Sequence, residues 1–164
     1  MRVPVAVPDN RFSRAFVAVT LAAVLNHVGD RLLGVNIEVF TGGIGYFSPA
    51  WVVDVFFLPA FAGLALGLLY GKGSKWLCYL PPLLVRAINY YEVAEITGVP
   101  QGAALIPLGW WGFFVILVME AAFIGAILGE VLVKKTYGRR EHHLVYKDKS
   151  TPDQPAPDTK HPGA

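Results

Sequence analysis

Seven polar side chains stand inside stretches that are otherwise apolar: Asn26, His27, Asp30, Asp54, Arg86, Asn89 and Glu120. Their types suit the binding or passage of a small polar solute, a cation or a proton. Asp30, Asp54 and Glu120 carry three negative charges, and Arg31 and Arg86 two positive ones. The set is therefore net acidic unless Glu120 is protonated or His27 is charged. The plainer reading is a group of structural ion pairs, such as Arg86 with Asp30 or Asp54, that lock helices together. Ala18, Ala22, Asn26 and Asp30 follow at four-residue steps, which on a helix is one face, small at one end and polar at the other. His27 is rotated from that face and is expected at a helix contact.

A second pattern uses small residues. Gly63, Gly67 and Gly71 recur every four residues, as do Ala121, Gly125 and Gly129. This glycine-zipper spacing lets helix backbones approach closely. At 100° per residue, Glu120 lies well away from the Ala121–Gly129 face, and Asp54 lies roughly opposite Gly63. Each of these helices thus separates a carboxylate face from a close-packing face. The glycine faces are expected either to pack within the chain or to point outward to a partner or a second copy.

The elements that must position these groups follow from composition. The chain is 54% hydrophobic and only 16% charged, against about 25% charged for a soluble domain. Four apolar segments stand out, at about 15–33, 49–71, 76–93 and 109–133, and a helix needs about 20 apolar residues to cross a bilayer. The expectation is an all-α integral membrane protein: a cytoplasmic segment 1–14, a four-helix transmembrane bundle 15–133, and a basic, then Pro-rich and disordered tail 134–164. Ser48 followed by Pro49 predicts a helix start. Gly71–Lys75 reads as a turn between antiparallel helices.

Charge orients the bundle. Of 14 Lys and Arg, only Arg31 and Arg86 fall off one side. The linkers 34–48 and 94–108 contain neither Lys nor Arg. Basic loops stay in the cytoplasm, so both termini are expected inside and those two linkers outside, in a bacterial plasma (inner) membrane. A cleaved signal peptide is the competing reading of the first segment, but "NHVGDR" is a poor cleavage site. Trp51, Trp110 and Trp111 fall at outer boundaries and Trp76 at an inner one, where indoles favour headgroups. Arg86, ten residues past Trp76, lies about 15 Å deeper along a helix.

Cys78 is the only cysteine, so there is no intrachain disulfide and no CxxC motif. No nucleophile–base pair, phosphate loop or HExxH motif is present, no haem ligation is supported, and no cofactor, metal or nucleic-acid partner is expected. His142 and His143 read as solvated tail. Three functions remain open. The first is an outward-facing polar site that binds or transports a small solute, cation or proton. The second is a non-catalytic accessory subunit of a larger membrane complex, docking through the glycine faces. The third, ranked last, is a lipid-modifying enzyme with Glu120 and His27 as acid and base. The partners expected are the lipid bilayer and a membrane-protein partner or a second copy.

Overall fold

A computed structural model describes residues 11–43 and 46–137, with side chains to 135. Residues 1–10 and 138–164, hence His142, His143 and the Pro-rich tail, lie outside the described residues.

The chain is mostly helical, as composition requires. Helix α1 spans Arg11–Leu33, α2 Pro49–Tyr70, α3 Ser74–Leu77, α4 Leu80–Tyr91 and α5 Leu108–Tyr137. Two short strands, β1 (Val39–Phe40) and β2 (Ala104–Leu105), pair antiparallel with Val39 opposite Leu105. The all-α expectation did not contain this ribbon. It ties the two long loops together at one end of the bundle, called here the loop end. The Gly71–Gly73 turn marks the other, the turn end.

Helix limits have local causes. Ser48 caps α2, its Oγ accepting from the Trp51 N–H at 3.2 Å, with Pro49 at the first helical position. Gly34, at φ 63°, ends α1 in the left-handed conformation that a Cβ disfavours. Within α2, Val53–Phe57 forms a wide, π-type turn in which the Leu58 N–H reaches back to the Val53 carbonyl. Pro59 has no N–H to continue the regular pattern, and such single wide turns recur at functional sites. Helix α4 starts with Pro81 and Pro82 in its first turn, where a missing N–H costs little. It continues past Tyr91 as another wide turn, Glu92–Thr97.

Three helices, α1, α2 and α5, are long and apolar enough to cross a membrane. The third expected span differs. Helix α4 has only 12 regular residues, because prolines delay its start and the chain passes after Tyr91 into the wide turn Glu92–Thr97.

Helices α2 and α5 run parallel and make the closest crossing. Ala122 and Ala126 backbone atoms lie where Cβ atoms on Gly63 and Gly67 would be, and Ala60 and Leu64 backbone atoms stand likewise over Gly125 and Gly129. The residue facing Gly63 is Ala122, next to Ala121 of the small-residue repeat. Gly71 ends α2 at φ 79° with open space around it, so it shapes the turn rather than the crossing. At the turn end Glu130 accepts from the Gly73 N–H (2.8 Å) and the Ser74 hydroxyl (3.1 Å). At the loop end the core is larger in side chain: Ile37, Tyr46, Trp51, Val55, Ile106, Phe114 and Val118 pack together. Trp51 is thus interior, not a headgroup anchor, whereas Trp76 and Trp110 are exposed.

Candidate functional site

Three helical segments and one loop meet at Arg86. The first is α1, whose buried face carries Ala18, Ala22, Asn26 and Asp30, as its four-residue spacing predicts. The wide turn of α2 contributes Asp54, and α4 contributes Arg86 and Asn89, one turn apart. The Arg86 guanidinium is 2% exposed, and its Nη2 donates to Asp54 Oδ2 at 2.6 Å and to Asp30 Oδ1 at 3.0 Å. Asn89 Nδ2 donates to the other Asp30 oxygen at 3.1 Å. The expected pairs of Arg86 with Asp30 or Asp54 are therefore both present, on a single nitrogen.

The loop contributes Glu38, which sequence reasoning missed. It is 0% exposed, with Oε1 3.7 Å from Arg86 Nη1. It sits in a loop that folds inward. The Glu38 carbonyl accepts from the Ile106 N–H at 3.0 Å, the Ile37 carbonyl accepts from the Tyr46 hydroxyl at 2.8 Å, and Val39 enters the ribbon. These backbone ties hold the Glu38 side chain under the loops. A signal existed: Glu38 is the only charge in the 34–48 linker, and it stands between Ile37 and Val39.

The centre is unbalanced in charge and in hydrogen bonds. Three buried carboxylates face one guanidinium. Both Glu38 carboxylate oxygens, Asp54 Oδ1 and Asn89 Oδ1 are buried acceptors without a partner, and Arg86 Nη1 is a donor without one. Burial pushes the Glu38 carboxyl above the usual carboxylate range, and the Arg86 charge partly opposes that shift. Uncompensated buried charge costs several kcal/mol per ion. The arrangement therefore favours uptake of protons or of a positive charge. Among the described residues no group of three or more His, Cys, Asp or Glu is arranged to hold a metal ion.

A cavity of about 210 Å³ reaches this centre from the loop end, with Asp30 and Asn89 among its lining and Asn36 and Thr97 beside them. Arg31 and Glu92 form an ion pair at 2.5 Å on its exposed side. A separate apolar cavity of about 450 Å³ lies between the ribbon and the start of α5, lined by Phe40, Phe47, Ile106, Trp110 and Phe114.

Of the seven residues singled out by type, the structure gathers Asp30, Asp54, Arg86 and Asn89. Asn26 is buried one turn from Asp30, with its amide donating to the Ala22 carbonyl of its own helix at 3.0 Å. His27 is half-buried on another side of α1. Glu120 is exposed on α5, beside Cys78 and Tyr79, and is not part of the centre. Comparison of the chain with protein-family models, curated proteins and solved structures found no match.

Proposed function

We propose that this chain is an integral membrane protein whose Arg86 centre takes up and releases protons from the outer side, in the service of a small polar or cationic solute. The chain crosses the bilayer four times with both termini in the cytoplasm. Helix α4 is the fourth crossing, lengthened by the short helix before it and the wide turn after it. The loop end is then the outer end, since its loops hold no Lys or Arg, and the turn end, with Lys72, Lys75, Lys134 and Lys135, is cytoplasmic.

One observation carries this reading: three buried carboxylates share one guanidinium, and one of them, Glu38, has no hydrogen-bond partner at either oxygen. A pair made only for stability needs one carboxylate for one guanidinium. Ionisable groups kept inside membrane helices most often serve a path for ions or protons. The cavity over Asp30 and Asn89 supplies access from the outer side. Close packing of α2 against α5 seals the cytoplasmic side.

The accessory-subunit reading needs a surface other than the glycine faces, because Gly63, Gly67, Gly125 and Gly129 meet one another within the chain.

The test is infrared difference spectroscopy on the full chain in bilayers, between alkaline and mildly acidic buffer. The expected result is a protonated-carboxyl carbonyl band that grows on acidification and is lost in Glu38→Gln. A wild-type spectrum without such a band would sink the reading.

A further inference from the structure

Glu120 is the unexplained charge of this fold. It stands near the middle of α5, exposed among Ile116, Ile124 and Leu128, which are exposed with it. His27 is a second polar group left over, half-buried on α1. Among the described residues neither makes a hydrogen bond or an ion pair.

Their positions match in depth and in direction. Gly29 of α1 touches Leu58 of α2, and Gly63 of α2 touches Ala122 of α5. Helix α1 runs against α2, and α5 runs with it. His27 therefore lies level with position 60 and Glu120 with position 61, a difference of about 1.5 Å along the bundle. Around α1, Gly29 faces α2 and Asp30 faces α4; His27 lies about 60° beyond Asp30, farther from α2. Around α5, Ala122 faces α2 and Phe123 stacks on Tyr79 at 5.7 Å, next to α4. Glu120 lies about 60° beyond Phe123, again farther from α2. The two groups thus flank α4 on its left and right at one depth. Between them α4 turns an apolar face outward: Leu80, Leu84, Ile88 and Tyr91 are all exposed.

We infer that a second copy of this chain covers the α4 face, with His27 of each copy beside Glu120 of the other. The inference rests on the membrane reading above, since only lipid makes an exposed carboxylate at this depth costly. A two-fold axis along the membrane normal exchanges left and right and preserves depth. It brings α4 against α4 and forms the His27–Glu120 contact twice. The unlike chemistry of the two groups is what a self-complementary surface requires. The same face offered to lipid alone leaves Glu120 among acyl chains.

The experiment uses the full chain in native membranes and in mild detergent. With Cys78→Ala removing the native thiol, Leu84→Cys is expected to give a disulfide-linked dimer. Phe61→Cys, on the exposed side of α2, is expected to give none. Glu120→Ala is expected to weaken dimerisation in detergent about tenfold, since two polar contacts are lost together. The exchange variant H27E/E120H restores the dimer, which separates pairing from misfolding. A wild-type chain that stays monomeric overturns the inference. So does a dimer indifferent to Glu120→Ala, an exchange variant that fails to recover, or a foreign membrane protein found over α4 on a monomer. None of these touches the proton-uptake reading, because the infrared test is valid on a monomer.

Discussion

At the turn end, α2 and α5 approach until the Ala122 carbonyl fills the place of a side chain on Gly63. At the loop end the same two helices are held apart by Trp51 and Phe114, whose ring centroids are 5.6 Å from each other. The first region is stabilised by backbone contact and dispersion, and offers no room for a polar group. The second is filled by large rings and roofed by a two-stranded ribbon, and beside it α1, α2, α4 and the Glu38 loop enclose Arg86 and its three carboxylates. Helix α2 takes part in both, packing closely on α5 through its glycines and turning Asp54 into the charged interior shared with α1 and α4. The fold uses each at a different depth.

The contrast can be broken most severely at Arg86. Arg86→Met leaves Asp30, Glu38 and Asp54 without their cation and is expected to cost about 3–5 kcal/mol of stability, read as a lowered unfolding midpoint in detergent. Adding Asp54→Asn to that variant recovers part of the loss, because neighbouring charges are coupled. Next, Gly63→Ala pushes a methyl group into a carbonyl that cannot move without its helix. A loss of about 1–3 kcal/mol is expected, while Gly109→Ala, which meets open space, stays within about 0.5 kcal/mol. Equal effects of the two substitutions would dissolve the distinction between the regions.

The third break is in pH. Burial raises the Glu38 pKa on folding, so the folded state holds a proton that the unfolded state has already released. Stability from this group is complete below the usual carboxylate range and declines as pH rises from there through the folded pKa. Glu38→Gln removes that slope and leaves the chain more stable than wild type on the alkaline side, as urea titrations at a series of pH values would record. The smallest effect is expected at the roof. Tyr46→Phe loses the hydroxyl bond to the Ile37 carbonyl and costs about 0.5–1.5 kcal/mol. Its sharper signature is faster amide exchange at Val39 and Ile106, whose N–H groups belong to the roof.

The helices were legible because apolar length and small-residue spacing are local properties. Ala18, Ala22, Asn26 and Asp30 occupy the inward face that their four-residue repeat requires, and Ser48–Pro49 starts a helix as read. Arg86 with Asp30 and Asp54 was legible because buried opposite charges seek one another. Glu38 was not, since nothing local says that a loop will fold inward. That placement is decided by pairing of Val39 with Leu105, far apart in the chain. Glu120 misled for the opposite reason. Its depth along α5 is that of a buried group, but a carboxylate's depth does not fix which side of the helix it takes. Helix α4 came out shorter than its apolar stretch suggested because prolines delay its start and a wide turn follows Tyr91.

The wide turn at Val53–Phe57 sets the phase between the two halves of α2. In an unbroken helix Asp54 would point nearly away from Gly63, toward the surroundings. One surplus residue in a turn winds the chain by about 100°, so the segment works as a vernier that re-indexes the upper part of α2 against the lower. It lets one rod present glycine to one neighbour and a carboxylate to another. Deleting one residue between Asp54 and Pro59 would let the helix close regularly with both faces kept, whereas inserting one more there would leave the lower crossing intact and swing Asp54 about 100° away from Arg86.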